Sequence, residues 1–305
     1  ERPLHWGMPI SLGLEPTTAC NLGCSECLSG IKGFTRPTGR LTLDRFQAIV
    51  DEVHPELMYC LMFFQGEPYI NPDFLPMVRY AVEKNLFVLS STNAHFLDEA
   101  RARATVESGL HRLIVSVDGA DAETYRQYRA GGDWEEVLAG IRRLVHWKQE
   151  LGATTPFIDM QFIVFKHNEH ELERIHELGR ELGVDRVSVK TAQVYNFDRA
   201  DQLMPTDNRY SRYTRAADGS WRIKGRLLNF CWKLWQGAEI TWDGRVLPCC
   251  FDKDGEYEMG QTPETPFRTI WRDERYRLFR AHLLQSRARI PMCTNCTEGV
   301  RVWAN

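Results

Sequence analysis

The 305-residue chain has no apolar run long enough to cross a bilayer as a helix. Its first residues lack the apolar stretch of a secretory signal. Charge of one sign is not in surplus: 38 Lys and Arg stand against 41 Asp and Glu, a formal net charge of −3. That balance gives no global electrostatic reason to expect nucleic acid. Histidine is missing where zinc would want it. After Cys27 the next one is His54, whereas a closed zinc site takes a nearby fourth ligand. Neither a membrane protein nor a nucleic-acid binder is expected.

What is present is cysteine, nine in all and grouped. Such grouping suits metal ligation in a reducing compartment better than a disulfide framework, so a cytoplasmic protein is expected. Cys20, Cys24 and Cys27 form a Cys-x3-Cys-x2-Cys array. Before it, residues 10–14 alternate and run into Glu15-Pro16-Thr17-Thr18, a strand leading into a loop. Three thiolates on one loop can hold three irons of a [4Fe-4S] cluster and leave the fourth iron open to a small molecule. A structural zinc site or unconnected thiols are the plainer alternatives.

Apolar residues make up 43% of the chain, enough for a sizeable core. Thr42 is placed to cap a helix with Phe46, Ile49, Val50 and Val53 on one face. Residues 57–64 are a nearly continuous apolar run, as in a strand buried on both faces. Helices are expected at 74–83, 94–108, 122–129, 134–151 and 169–182, and strands at 87–90, 113–117, 157–165 and 187–189. This alternation predicts an α/β fold with a parallel sheet, whose chemistry gathers on the loops after the strands.

The cysteine array resembles the signature of the radical S-adenosylmethionine (SAM) superfamily. The resemblance implies a partial (β/α)6 TIM-like barrel, SAM chelated to the open iron, and a 5′-deoxyadenosyl radical that abstracts hydrogen from substrate. Gln65-Gly66-Glu67-Pro68 is similar to the superfamily's Gly-Gly-Glu-Pro segment. That likeness implies that Gly66, Glu67 and Pro68 receive the SAM amino group, although Gln65 departs from the pattern. It further implies Ser91 near SAM and Ser116 at its carboxylate. Arg129 would clamp that carboxylate, with Arg126 as a competitor. Asp118, after the fourth strand, is a candidate for substrate contact or for capping the next helix. The residue before the third cysteine is aromatic in many relatives and is Glu26 here, so the adenine pocket is left open.

Residues 192–230 break the alternation and read as a bridge; Tyr195, Asp198, Tyr210, Arg212 and Tyr213 are placed to reach a substrate. Alternating residues around Asp243-Gly244 then signal a hairpin. It lies between Cys231 and Cys249, and Cys293 and Cys296 follow as a Cys-x2-Cys pair. Four thiolates can fully ligate a second [4Fe-4S] cluster, and a zinc ribbon is the competitor. The arrangement, with Gly244-x4-Cys249, resembles the SPASM auxiliary domain in its short twitch form. That spacing selects Cys249 over Cys250; Cys60 reads as core packing. The expected units are 1–191, a radical SAM barrel; 192–230, a bridge; and 231–305, a twitch-like hairpin-plus-helix domain. Arg272, Arg275, Arg277, Arg280, Arg287 and Arg289 make the last unit basic. An acidic electron donor such as flavodoxin or ferredoxin could dock there, or the arginines form a solvated face.

The expected activity is a radical SAM oxidoreductase using two [4Fe-4S] clusters and SAM on a small polar substrate, with Asp118, Tyr195 or Asp198 as the proton acceptor. Alternatives are a maturase of ribosomally made peptides, a redox-neutral epimerase and a non-catalytic iron–sulfur scaffold. No spare N-terminal domain for leader-peptide recognition is expected in this chain.

Overall fold

A computed structural model describes residues 7–298. Six strands alternate with helices along the first two thirds: β1 (Ser11–Leu14), β2 (Tyr59–Leu61), β3 (Phe87–Thr92), β4 (Arg112–Ser116), β5 (Phe157–Val164) and β6 (Arg186–Thr191). The helices are α1 (Leu43–Val53), α2 (Phe74–Glu83), α3 (Glu99–Glu107), α4 (Ala122–Tyr128), α5 (Trp134–Glu150) and α6 (Leu172–Leu182). Each strand from β1 to β6 pairs in parallel with the next. The α/β architecture expected from the alternation is therefore present. Buried Leu12, Leu14, Cys60, Val88, Val115 and Phe162 on the strands meet Phe46, Ile49, Met77 and Ile141 on the helices in one core. Among the described residues no helix is long and apolar enough to cross a membrane.

Two expected elements are shorter than their apolar patterns. The run 57–64 contains only a three-residue strand. Beyond it the chain turns toward the site, though Met62 N–H still reaches the Leu89 carbonyl at 2.8 Å. The helix expected from 94 begins at Glu99, because Ala94 sits at φ +67° and Asp98 caps the helix by accepting from Arg101 N–H.

The bridge folds α7 (Ala200–Leu203) and an antiparallel pair, β7 (Tyr213–Arg215) and β8 (Trp221–Ile223). After α8 (Lys233–Gln236) comes the expected hairpin, β9 (Gly237–Ile240) and β10 (Arg245–Leu247), then β11 (Gly260–Gln261). Gly244 turns the hairpin at φ +93°; a Cβ there would lie 2.0 Å from the Thr262 carbonyl oxygen. The hairpin does not stand apart. β9 runs parallel to β1, pairing Ser11 with Gly237 through Leu14 with Ile240, and extends the sheet to the order β11-β10-β9-β1-β2-β3-β4-β5-β6. Helices α9 (Phe267–Arg272), α10 (Glu274–Ser286) and α11 (Pro291–Thr294) close this end.

The basic docking face needs correction. Arg280 and Arg287 are 0% and 1% exposed. Arg280 lies between the Trp271 and Tyr276 rings, 4.2 Å from each centroid, and donates to the Leu234 carbonyl. Two of the six arginines therefore serve packing and do not face a partner.

Candidate functional site

The loops after β1 to β4 and a segment beyond β10 enclose a cavity of about 250 Å³. Cys20, Cys24 and Cys27 line it together with Glu26, Ser29, Gly66, Glu67, Ser91, Asn93, Ser116, Arg129 and Lys253. Phe63, Phe64 and Tyr128 supply aromatic surface. The structure thus gathers residues spread over more than 230 positions of sequence at the C-terminal ends of parallel strands.

The turn after β2 is knitted onto the cysteine loop. Gly66 N–H donates to Ser29 Oγ at 2.8 Å, and Glu67 N–H donates to the Ala19 carbonyl at 2.8 Å. Gly66 has φ +72°, and a Cβ would sit 2.3 Å from the Thr17 carbonyl oxygen. Pro68 is buried behind the wall at the start of a 3-10 turn. The Glu67 carboxylate is itself buried, accepting from Thr92 Oγ1 at 2.8 Å, Asn93 N–H at 2.7 Å and Tyr69 N–H at 3.3 Å. Burial pushes its pKa up to about 7 in spite of these three donors. Glu67 therefore ties the loops after β2 and β3 as well as facing the cavity.

Arg129 follows α4 and grips Asp118, Nε to Oδ2 at 2.6 Å. Asp118 Oδ1 accepts Ile163 N–H at 2.7 Å, and the side chain is buried. With both oxygens engaged and no place on the cavity wall, Asp118 is corrected from candidate proton acceptor to anchor of Arg129. Arg126 is exposed, which separates the two candidate arginines. Tyr195 lies just outside the cavity wall under the Lys253 ammonium, 4.6 Å from its ring centroid. Asp198 is exposed on a 3-10 turn, away from the wall, so a base at Asp198 has no geometric support. Lys253 was not found from sequence; it lies in a turn-rich stretch whose only local signal is Asp254-Gly255.

Cys60 is in the main core, and the C-terminal cysteines meet behind the hairpin. Cys231, Cys293 and Cys249 pack in one apolar cluster with Leu234, Leu283 and Ile290. Cys296 joins them electrostatically and accepts from Arg287 Nη2 at 3.3 Å and Glu298 N–H at 3.4 Å. Cys250 hydrogen-bonds to Cys249 and also accepts from Lys233 Nζ at 3.6 Å.

The model of the Radical SAM superfamily matches residues 14–179. The chain belongs to the radical SAM superfamily. A second model, the SPASM iron–sulfur cluster-binding domain, matches residues 231–297. The AdoMet-dependent heme synthase of Methanosarcina barkeri is 33% identical over 65% of this chain; the chain spans 55% of that protein's length. The tungsten-containing aldehyde ferredoxin oxidoreductase cofactor-modifying protein of Pyrococcus furiosus is 27% identical over 94% of this chain and 86% of that one. The PqqA peptide cyclase of Rhodopseudomonas palustris is 26% identical over 80% and 68%. The crystal structure of BtrN with AdoMet and 2-DOIA superposes with a TM-score of 0.58 at 16% identity, covering 98% and 97% of the two chains.

For this radical SAM enzyme the two matched domains imply iron–sulfur clusters and SAM binding. Among the described residues no three His, Cys, Asp or Glu side chains converge as on a single metal ion. The donor sets nonetheless suit clusters. Three thiols share one cavity, with Asn93 Nδ2 3.8 Å from Cys20 Sγ and Arg129 Nη1 3.9 Å from Cys24 Sγ. In the second group buried Arg287 donates to Cys296, Nη2 to Sγ at 3.3 Å, and reaches Cys293 as well. N–H groups aimed at sulfur are what metal-bound thiolates take from their surroundings.

Proposed function

We propose that this enzyme removes a hydrogen atom and then an electron from its substrate, with a second cluster as electron acceptor. Cys20, Cys24 and Cys27 would hold one [4Fe-4S] cluster, and Cys231, Cys249, Cys293 and Cys296 the other. When bound, the first cluster and SAM supply the one-electron chemistry that takes the hydrogen. Gly66 and Glu67 would hold the SAM amino group, Ser91 and Ser116 its polar edge, and Arg129, braced by Asp118, its carboxylate. Phe63, Phe64 and Tyr128 offer the flat surface an adenine needs.

One observation carries the reading. Lys253, four residues past Cys249, is part of the wall that also holds Cys20, Cys24 and Cys27. A substrate in that space would lie between the two cysteine groups, where an electron has a short path from substrate to the second. Burial raises the Tyr195 phenol above its ordinary range, so it stays protonated, and none of the three candidates serves as proton acceptor. A reduced flavodoxin or ferredoxin in the cytoplasm would feed the first cluster.

The test is anaerobic reconstitution with a strong reductant and SAM. About eight irons per chain, 5′-deoxyadenosine, and a product two mass units lighter than substrate are expected. Stoichiometric zinc with only four irons would remove the second cluster. A redox-neutral product would remove the oxidation. A peptide substrate is favoured as second reading by the likeness to PqqA peptide cyclase, and a precursor peptide gene beside this one would support it.

A further inference from the structure

Two cations, Lys253 on the cavity wall and Arg212 outside that lining at the end of β6, have no carboxylate partner among the described residues. Lys253 is half-buried and rigidly based. Its carbonyl accepts Arg36 Nε at 3.0 Å, and the adjoining Asp254 carboxylate takes Thr35 N–H at 2.8 Å and Arg36 N–H at 3.3 Å. Its ammonium lies over the Tyr195 ring. Arg212, 8% exposed, is held to the end of β6 through Nη2 to the Thr191 carbonyl at 2.6 Å and Nε to Thr191 Oγ1 at 3.2 Å. Burial works against the charge on Lys253; the Cys27 and Cys250 thiols favour it and Arg212 opposes it.

Buried like charges repel and are costly without an anion to share. Neither carboxylate of the wall serves: Glu67 is taken up by Thr92, Asn93 and Tyr69, and Glu26 turns to Tyr195 N–H at 3.3 Å and Arg199 at 3.8 Å. Beside them the Gln193 amide nitrogen is buried with no hydrogen-bond partner, while its oxygen lies 3.5 Å from Arg212 Nη1. A donor left unsatisfied in such a place is waiting for an acceptor.

We propose that Lys253, Arg212 and the Gln193 amide receive a carboxylate of the substrate, so that the compound oxidised is a carboxylic acid. A guanidinium already half committed to Thr191 and one ammonium match two oxygens sharing one charge better than a doubly charged phosphate. The inference rests on the radical SAM reading of the cavity.

The experiment uses the full chain, reconstituted and saturated with SAM, in anaerobic equilibrium dialysis against radiolabelled succinate, dimethyl succinate and inorganic phosphate. Succinate is expected to bind, the diester not to bind, and phosphate to bind more weakly. Lys253→Met and Arg212→Lys should each weaken succinate by about tenfold or more, and Lys253→Arg should retain it. The proposal is overturned if wild type ignores succinate or if Lys253→Met binds it equally. Tighter binding of phosphate overturns it in favour of a phosphorylated substrate. A parallel loss of SAM affinity assigns the cations to SAM's own carboxylate and overturns it too. A shifted cluster potential with unchanged succinate binding makes them mere counter-charges to the thiolates, again against the proposal. Failure of the radical SAM reading itself is seen separately, as no 5′-deoxyadenosine, and leaves the dialysis result standing.

Discussion

Arg36 closes on Glu15 in a buried two-pronged ion pair, Nη1 to Oε2 at 2.8 Å and Nη2 to Oε1 at 2.5 Å. Glu15 directly follows β1 and also accepts Trp242 N–H from the hairpin, while Arg36 donates onward to the Lys253 carbonyl. The pair therefore joins the strand, the loop after the first cysteines and the segment after Cys249. Arg36→Met strands a carboxylate whose burial already raises its pKa. A loss of about 3 kcal/mol or more is expected from the urea midpoint at pH 7, with partial recovery in Glu15→Gln/Arg36→Met. An unchanged midpoint would refute the staple.

Asp159 holds the opposite end of the barrel. It is fully buried and accepts from Arg112, from Arg186 Nη2 at 2.7 Å and from Ser188 Oγ at 2.6 Å. Burial alone would raise its pKa, but Arg186, Ser188 and Arg112 together hold it at about 2. The folded value lies below the unfolded one, so the stabilisation is full above pH of about 4 and is lost as pH falls toward about 2. Asp159→Asn should cost about 2 kcal/mol, flatten that acid limb in urea titrations, and leave SAM affinity unchanged.

Glu67 is shifted the opposite way from Asp159, so its effect is lost at a higher pH. Burial raises its carboxyl to about 7, so its charged form is disfavoured until a cation arrives. SAM affinity should fall as pH drops from 8 through about 7 to 6. In Glu67→Gln the affinity should be lower throughout and the slope gone. Calorimetric titration at each pH decides; a wild-type affinity independent of pH would show that the ammonium does not see Glu67.

Asp118→Asn separates an anchor from a base. Loosened Arg129 should weaken SAM by about tenfold. The pH profile of product formation at saturating SAM should keep its shape, whereas loss of a general base would remove a limb of that profile.

Cys293→Ala with Cys296→Ala should halve the iron and keep SAM cleavage, while oxidised product gives way to substrate with one hydrogen exchanged. Circular dichroism and the urea midpoint establish that the variant is folded. Normal oxidised product from it would leave the second group only a structural role.

The parallel strands were legible because apolar residues recur at strand and helix spacing along the chain, and the Asp243-Gly244 turn declares its hairpin; the run ending at Phe64 overstated its strand, which is only Tyr59–Leu61 with Tyr59 exposed. The cysteine spacing was legible too, since ligands on one loop are close whatever the rest of the chain does. The pairing of β9 with β1 was not legible. Alternation in residues 237–240 states that a strand has a buried face and is silent about its neighbour.

Asp118 and Lys253 show the limit most sharply. A carboxylate after a strand reads equally as base, cap or anchor, and only the arrival of Arg129 and the Ile163 N–H fills both its oxygens. Lys253 reads as a turn lysine until Arg36 and Asp254 fix its backbone beside Cys27. By itself the sequence determined the parallel α/β core and the thiol groups, because these follow from local periodicity and short-range spacing. Only the tertiary structure decided which carboxylates are occupied, which arginines are buried and which cations are left for substrate. Hydrogen-bond satisfaction and charge pairing depend on partners that lie hundreds of residues apart along the chain and a few ångströms apart in the fold.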